Sequence, residues 1–284
     1  MHMQNGFRES QIITKRHAKT FYLASLFLSK EQKYAVYSIY AICRLSDESV
    51  DKESPLSKID KLNRIKNDID KTYSGTELNG GLLEAFRSTV AKYRIPKDYF
   101  TELINGMRMD LEINSYETFD GLSLYCYRVA GVIGLIILDV FGYKDSEAKE
   151  YAIRLGVALQ LTNIIRDIKE DFKMNRIYLP KAELKQFGVT AEQLACGKID
   201  TNFKELIKFE IARARIYYEA SQRGIRLISD LRARFVTCLI KELYAEILTV
   251  IEKSDYDVFS KRAHVNISKK MYLVLKVILK GRYL

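Results

Sequence analysis

Two pairs of aspartates at the same spacing are the residues in this sequence best suited to chemistry. Asp47 and Asp51 stand in R-L-S-D-E-S-V-D, and Asp167 and Asp171 stand in N-I-I-R-D-I-K-E-D-F. Residues four apart lie on the same face of an α-helix, so each pair can present two carboxylates at one place. Mg²⁺ takes oxygen ligands and typically binds through a few carboxylates together with substrate phosphates. The pairs therefore predict one divided metal site that holds a diphosphate.

A solvated acidic face is the alternative interpretation, and for a single pair of this kind it is the commoner one. Duplication favours the metal site, because both copies follow an arginine, Arg44 or Arg166, and both have apolar or aromatic flanks. Clustered carboxylates also need nearby cations in order to remain ionised together. From the residues alone, the metal site and the solvated face are about equally supported.

Other polar residues are suited to holding a phosphate. Gln160, Asn163 and Asp167 recur at spacings of three and four, so they form one polar stripe on a helix. Amides on such a stripe can orient water or a phosphate oxygen, and a stripe that simply faces solvent is the alternative. Near the N-terminus, Lys19 and Thr20 in H-A-K-T-F can donate hydrogen bonds to a phosphate, although a lysine there is usually a surface residue.

The composition describes an ordinary globular protein. The chain has 284 residues, 48% of them hydrophobic and 29% charged, with three prolines and no low-complexity tract, so we expect a single domain over residues 1–284. A net charge of +10 favours anionic partners, but no zinc-ligand spacing or dense basic run is present, so nucleic acid is not expected. Scattered cysteines and the lack of an apolar signal core predict a cytoplasmic protein.

The hydrophobic pattern predicts an all-α fold, because most long segments follow the 3.6-residue period. Ser29 and Gln32 fit a capping box that opens a helix, and this helix continues through the first acidic pair until Pro55. The stretch Lys173–Gly197 is expected to be irregular, and Val129–Phe141 is expected to be a buried helix too short to cross a membrane. Further helices are expected over residues 8–27, 57–74, 81–94, 97–115, 119–141, 145–174, 201–226, 229–254 and 257–281.

Five motifs occur in an order that is known from one enzyme family. The chain contains H-A-K-T-F, Y-A-I-C-R-L-S-D-E-S-V-D, G-M-R-M-D-L-E, Y-C-Y-R-V-A-G-V-I-G and Q-L-T-N-I-I-R-D-I-K-E-D-F-K-M-N-R-I-Y-L-P. Together they resemble the squalene/phytoene synthase family over about residues 10–280, and the bacterial carotenoid branch most of all. The resemblance implies an isoprenoid-synthase helical bundle around a central apolar cavity, with the two acidic pairs facing each other across its mouth.

The resemblance also implies a reaction. Members of the family join two polyprenyl diphosphates head to head: one diphosphate leaves with the help of Mg²⁺, and the double bond of the second molecule attacks the allylic cation. A cyclopropylcarbinyl diphosphate forms and then rearranges. The implied substrates are farnesyl or geranylgeranyl diphosphate, and the implied products are dehydrosqualene or phytoene in carotenoid biosynthesis. Mg²⁺ is the expected cofactor, Mn²⁺ is an alternative metal, and NADPH is not expected.

Individual residues take roles from the same resemblance. The implied metal ligands are Asp47, Asp51, Asn163, Asp167 and Asp171. The implied substrate contacts are Lys19, Thr20, Phe21, Tyr40, Arg44, Gln160, Asn163, Arg176, Tyr244 and Arg262. Tyr127 joins the four aspartates in the implied catalytic set, and Arg176 belongs to a loop expected to close over the substrate. Glu48 stands where many members of the family have a second aspartate.

Several alternatives stay open. An NADPH-dependent squalene synthase shares the motifs. A head-to-tail prenyltransferase or terpene cyclase also binds its diphosphate through carboxylates and a metal ion, but it would not be expected to carry Y-C-Y-R-V-A-G. A non-catalytic basic helical binding module would need no paired carboxylates. Chain length is also open, because Ser25 is small enough to leave depth for a C20 substrate while Tyr37 can refill that space. Because the implied product is apolar and the protein is basic, we also expect a loose, peripheral association with membranes.

Overall fold

The computed structural model of the protein describes residues 2–48, 55–281 and 283. Over these residues the chain forms fifteen α-helices and no β-strand, which confirms the predicted all-α class. The helices are α1 His2–His17, α2 Lys19–Ser25, α3 Lys30–Glu48, α4 Pro55–Ser74, α5 Gly81–Tyr93, α6 Lys97–Glu112, α7 Phe119–Cys126, α8 Val132–Phe141, α9 Ala148–Arg166, α10 Ile168–Lys173, α11 Lys181–Gln186, α12 Ala191–Cys196, α13 Thr201–Ser221, α14 Leu231–Lys253 and α15 Ile267–Lys280. A π-turn, Tyr127–Gly131, joins α7 to α8, and a 3-10 turn, Gln222–Leu227, follows α13.

The predicted capping box at the start of α3 is confirmed. The Ser29 hydroxyl accepts the Gln32 backbone N–H at 3.3 Å, and the Gln32 side-chain oxygen accepts the Ser29 N–H at 3.3 Å. This reciprocal pair satisfies two of the N–H groups that a helix start leaves without partners. The sequence therefore places the start of the helix that carries Arg44.

Several predicted segments differ from the structure. The expected helix over residues 8–27 is divided at Ala18, whose φ of −128° and ψ of 57° are not helical. The expected helix over residues 257–281 begins only at Ile267, because the Asn266 side chain accepts the Lys269 N–H at 2.8 Å and caps the helix there. The stretch Lys173–Gly197, expected to be irregular, contains α11 and α12.

Helix α9 lies at the centre of the bundle and packs against α8, α13 and α14. Two glycines allow α9 to touch α8 and the π-turn before it through their backbones. A Cβ atom at Gly156 would lie 2.3 Å from the carbonyl oxygen of Ala130, and one at Gly134 would lie 2.4 Å from the carbonyl oxygen of Ala152. No side chain fits in that space, so these glycines set the distance between the two helices.

The predicted helix over residues 119–141 is confirmed as one continuous helical stretch, and it is longer than the apolar run Val129–Phe141 that was expected to be too short to cross a membrane. Among the residues that the structure describes, it is the one stretch with the length and hydropathy of a membrane span. Half of its most apolar window is buried inside the protein, and residues of α8 line an internal cavity. The same composition is typical of a core helix, and the packing around α8 accounts for its apolar character.

Candidate functional site

An apolar cavity of about 350 Å³ lies inside the bundle, between α2, α3, α8, α9 and α14. Its size lies within the range of roughly 300–1,000 Å³ that is typical of small-molecule sites. Phe21, Tyr40 and Tyr244 line it, as predicted for aromatic residues near a greasy substrate, and the Phe21 and Tyr40 rings stack with their centroids 6.2 Å apart. The walls are otherwise mostly aliphatic, so the cavity suits a hydrocarbon chain.

A second, polar space of about 490 Å³ lies at the C-terminal end of α9. The side chains around it carry charge of both signs. They include Arg44, Asp110, Arg166, Asp167, Glu170, Asp171, Arg176 and Arg262. Seven of the predicted site residues, drawn from α3, α9, α10 and two loops, therefore meet at one place: Arg44, Gln160, Asn163, Asp167, Asp171, Arg176 and Arg262.

Two amide side chains belong to both spaces. Gln160 and Asn163 line the apolar cavity and the polar pocket alike. They are three residues apart on α9, and the Asn163 amide donates to the Gln160 side-chain oxygen at 3.4 Å. The two spaces therefore adjoin across these amides, and a molecule with a charged head and an apolar tail can occupy both.

The sequence suggested that the second acidic pair lies on one uninterrupted helix, but the structure shows a break between its two members. Asp167 separates α9 from α10, with φ of −105° and ψ of 16°. The hydrogen-bond pattern nevertheless continues, because the Asp171 N–H donates to the Asp167 carbonyl at 2.9 Å. The four-residue spacing thus still brings both carboxylates to the same pocket, although a local break turns Asp167 toward the arginines.

Two guanidinium groups hold the Asp167 carboxylate. Arg166 donates from Nε at 2.7 Å and from Nη2 at 2.5 Å, while Arg262 donates from Nε at 2.7 Å and from Nη2 at 2.8 Å. Burial favours the neutral acid, but the hydrogen bonds and charges of the two arginines outweigh it and lower the pKa of Asp167. Asp167 therefore stays ionised beside Asp171.

The pKa of Asp171 is shifted in the opposite direction. Burial and the neighbouring Asp167 charge raise the pKa of Asp171 to about 7, against the attraction of Arg176. Beside it, Oε2 of Glu170 is buried without a hydrogen-bond partner. Buried carboxylate oxygens normally have a partner, so this side of the pocket is short of positive charge. Its oxygen donors are the type that Mg²⁺ prefers. Among the described residues, however, no three His, Cys, Asp or Glu side chains are close enough together to form a metal site by themselves.

Some predicted site residues lie elsewhere or outside the description. Lys19, Thr20 and Tyr127 are not among the described residues that line either space. The Thr20 hydroxyl instead accepts a hydrogen bond from the Lys270 ammonium at 3.1 Å. Asp51 and the side chain of Asp47 lie outside the described part of the chain.

The structure adds a group that sequence reasoning missed. Tyr178 and Tyr125 donate from their hydroxyls to the Asp110 carboxylate at 2.7 and 3.1 Å, and Arg176 donates to the Asp110 carbonyl at 3.0 Å. Burial, followed by the Asp110 charge, raises the pKa of both tyrosines, so they remain donors. G-M-R-M-D-L-E contains Asp110, but the sequence gives no sign that it meets Tyr178.

The same contacts anchor the segment that contains Arg176. The Ile177 N–H donates to the Asn114 carbonyl at 2.8 Å, and the Lys181 N–H donates to the Tyr116 carbonyl at 2.9 Å. These bonds tie the segment after α10 to the connection between α6 and α7. Arg176 is thus held at the edge of the polar pocket by backbone pairing on its C-terminal side.

The sequence from residue 14 to residue 269 matches the family model of squalene/phytoene synthase. This chain belongs to the squalene/phytoene synthase family. A 15-cis-phytoene synthase of Synechococcus elongatus is 38% identical over 282 residues, which cover 95% of this chain and 91% of that protein. A chloroplastic phytoene synthase of Daucus carota is 38% identical over 266 residues, covering 91% of this chain and 66% of that protein.

Solved structures of family members support the same assignment. A dehydrosqualene synthase crystallised with a ligand superposes with a TM-score of 0.92 at 30% identity, covering 98% of each chain. A squalene synthase from Alicyclobacillus acidocaldarius superposes with a TM-score of 0.83 at 27% identity, covering 90% of this chain and 96% of that one. The predicted isoprenoid-synthase bundle and the predicted enzyme class, a prenyltransferase, are therefore confirmed.

Proposed function

We propose that this prenyltransferase, acting as one domain, joins two polyprenyl diphosphates head to head in carotenoid biosynthesis. The observation that carries the proposal is the contact between the polar pocket and the apolar cavity across Gln160 and Asn163. A diphosphate placed among the arginines would leave its prenyl chain directed into the cavity. Farnesyl and geranylgeranyl diphosphate are the substrates that we propose.

Departure of diphosphate requires that its developing charge be neutralised. The guanidinium groups of Arg44, Arg166, Arg176 and Arg262 surround the polar pocket and can bind diphosphate oxygens through charge-assisted hydrogen bonds. Asp167 and Asp171, together with Asn163 and the first acidic pair Asp47 and Asp51, would hold Mg²⁺ or Mn²⁺. A bound metal ion would supply further neutralisation of the leaving group.

The cavity must protect an allylic cation from water until the second prenyl chain attacks it. Its apolar walls exclude water, and the faces of Phe21, Tyr40 and Tyr244 carry negative electrostatic potential toward the cation. The second chain would then form the cyclopropylcarbinyl diphosphate, which ionises again and rearranges. No carboxylate, histidine or lysine is among the described residues that line the cavity, so we propose released diphosphate as the final proton acceptor.

We propose a non-reductive product, dehydrosqualene or phytoene. Phytoene synthases are the relatives at 38% identity, whereas the squalene synthase superposed above is 27% identical. The test is incubation with farnesyl or geranylgeranyl diphosphate and Mg²⁺, with and without NADPH, followed by identification of the hydrocarbon. Dehydrosqualene or phytoene formed without NADPH is expected. Squalene formed only with NADPH would identify a reductive enzyme, and a single-chain or cyclised product would overturn head-to-head coupling.

Substitutions in the acidic pairs test the chemistry separately from the product. Asp171→Asn and Asp47→Asn are each expected to lower Mg²⁺-dependent diphosphate release by about 100-fold or more, the size of loss that follows removal of one charge-stabilising group at a reacting centre. Asp120→Asn, on an exposed residue of α7, is the matched control and should leave release unchanged. Unimpaired release by the acidic-pair variants, with far-UV circular dichroism intact, would contradict the proposed roles.

A further inference from the structure

The outward face of α15 is apolar, although it faces solvent. Leu279 is 84% exposed, Ile267 66%, Leu275 56% and Met271 54%, and these residues recur every four positions along one side of the helix. A surface helix normally turns its charged side chains to water, and a helix that is apolar on its outer face as well needs something to cover it. This face, defined by Ile267, Met271, Leu275 and Leu279, is called the outer face of α15.

The opposite, inner face of α15 is also apolar, and it is this inner face that packs into the protein. Leu273 is 1% exposed and Val277 2% exposed, and α15 packs against α14 through this side. The helix is thus anchored to the bundle by one row of apolar residues and presents a second row to the outside. Contiguous exposed apolar surface of this kind marks a site of interaction.

Exposed aromatic surface lies beside the end of α15. The ring of Phe27, 42% exposed in the turn after α2, packs edge-on against Phe235 with centroids 5.0 Å apart. Phe235 in turn packs against Tyr283, which follows α15, with centroids 5.3 Å apart. The neighbouring Leu26 is 46% exposed. Contacts between aromatic rings therefore link the turn between α2 and α3 to the end of α15.

The sequence segment that contains the outer face of α15 is basic. Residues 261–284 contain seven lysines and arginines and no acidic residue. Two of these lysines, Lys269 and Lys276, lie on the flank of α15 and pair with Glu246 and Glu242 at 3.1 and 2.6 Å. An apolar face in a basic segment complements an anionic lipid surface. A second copy of the chain would instead bring the same basic segment against itself, because a two-fold contact pairs identical surfaces.

Helix α15 lies against two helices that line the cavity. The Lys270 ammonium bonds the Thr20 hydroxyl at 3.1 Å, and the next residue of α2, Phe21, lines the cavity. On the other side, α14 packs against α15 and contributes Ile240 and Tyr244 to the cavity wall. The helices that α15 contacts therefore have their opposite sides on the space proposed for prenyl chains.

We propose that the outer face of α15, with Leu26 and Phe27, docks on an anionic lipid bilayer. In this arrangement α15 lies in the plane of the interface, with its apolar residues among the acyl chains and its basic residues near the head groups. An apolar product would then leave the cavity beside lipid instead of into water. Binding to lipid does not depend on turnover, so this proposal and the proposed reaction fail independently.

A fluorescence experiment tests the location directly. The chain contains no tryptophan, so Leu279→Trp introduces a single reporter on the outer face of α15. With vesicles of phosphatidylcholine and phosphatidylglycerol, its emission should shift to the blue and be quenched by lipids brominated on the acyl chains. Ile216→Trp, at a residue 65% exposed on α13, is the matched reporter and should show neither effect. Equal quenching of both reporters, or quenching of neither, would overturn the proposal.

A sedimentation experiment tests affinity in the full chain. The double variant Met271→Gln/Leu275→Gln should bind the anionic vesicles at least tenfold more weakly than the unaltered protein. Ile12→Gln/Ile216→Gln removes equally exposed apolar residues from α1 and α13 and should bind unchanged. Equal binding by all three proteins, or equally strong binding to pure phosphatidylcholine, would overturn the proposal. A dimer in solution that only the first variant dissociates, without vesicle binding, would assign the face to a second copy.

Discussion

The guanidinium of Arg262 and the carboxylate of Asp167 form a two-pronged ion pair, with Nε to Oδ1 at 2.7 Å and Nη2 to Oδ2 at 2.8 Å. The pair joins the irregular segment after α14 to the break between α9 and α10. Arg262 is 56% exposed at its side chain, whereas Asp167 is 17% exposed. The arginine thus reaches from the surface into the polar pocket, where an incoming diphosphate would meet it.

Replacement of Arg262 by glutamine should weaken substrate binding. A hydrogen bond to a charged group contributes about 1.5–3 kcal/mol, and the exposure of Arg262 favours the lower end. Because about 1.4 kcal/mol corresponds to a tenfold change, we expect KM for the prenyl diphosphate to rise about tenfold, with a smaller change in kcat. Lys261→Gln removes the same charge from the adjacent exposed residue and serves as the control. An unchanged KM for Arg262→Gln would show that Arg262 only positions Asp167.

Alanine at Gly156 should destabilise the bundle and damage the cavity. The added Cβ would meet the Ala130 carbonyl oxygen at 2.3 Å, so α9 and the π-turn before α8 would have to move apart. Overpacking of this kind costs about 1–3 kcal/mol, and it should appear as a lower midpoint in urea and lower turnover. Gly121→Ala is the matched control, because its Cβ would meet only the Tyr116 ring at 3.5 Å. Equal midpoints for the two variants would contradict the close approach.

The Asp139→Asn variant should gain stability relative to the unaltered protein as the pH rises from acid to neutral. Burial raises the pKa of Asp139 to about 6 from 3.8, and Lys149 only partly opposes it. The folded state therefore binds this proton more tightly than the unfolded state, and the associated stability is present below pH 3.8 and is lost as pH rises through 6. The Tm of Asp139→Asn relative to the unaltered protein should accordingly increase between pH 4 and pH 7. A pH-independent difference would contradict the raised pKa.

The hydroxyls of Ser25 and Tyr37 should depend on each other for stability. They lie 2.7 Å apart, both residues are buried, and neither is among the described residues that line the cavity. Ser25→Ala should cost about 1–3 kcal/mol, because it leaves the buried Tyr37 hydroxyl without its partner. Tyr37→Phe should cost less, because the Ser25 hydroxyl still donates to the Tyr22 carbonyl at 2.7 Å. The double variant should cost less than the sum of the two. Additive costs in urea unfolding would contradict the pairing.

The same two variants bear on chain length. The sequence suggested that Ser25 leaves depth for a C20 chain and that Tyr37 refills it. Because the structure pairs the two side chains outside the cavity wall, we expect Ser25→Ala and Tyr37→Phe to leave the preference between farnesyl and geranylgeranyl diphosphate unchanged. Competition between the two substrates, with the hydrocarbons separated by chromatography, measures this preference.

The sequence predicted best where one local pattern decides the structure. The capping box at Ser29 marks the start of α3, and the three- and four-residue spacing of Gln160, Asn163 and Asp167 brings these residues to one pocket. Helical periodicity and capping chemistry act over a few residues, so they can be read without knowledge of the fold. The reaction class was predicted from the family motifs, because neither the capping box nor the helical spacing indicates a reaction.

The rest depended on contacts between distant parts of the chain. Asp110 meets Tyr178 across 68 positions, and Arg262 meets Asp167 across 95. The break at Asp167 was equally invisible, because the periodic pattern continues through it and two guanidinium groups hold the residue in its new orientation. Such features follow from tertiary packing, and local propensity does not encode them.

The π-turn between α7 and α8 sets the phase of the helix that borders both spaces. One residue corresponds to about 100° of rotation around a helix axis, so the wider turn reorients everything after it relative to everything before it. Tyr125, before the turn, borders the polar pocket, whereas Val129 and Ile133, within and after it, border the apolar cavity. The π-helical geometry of Tyr127–Gly131 therefore lets one continuous helix border the polar pocket with its first half and the apolar cavity with its second.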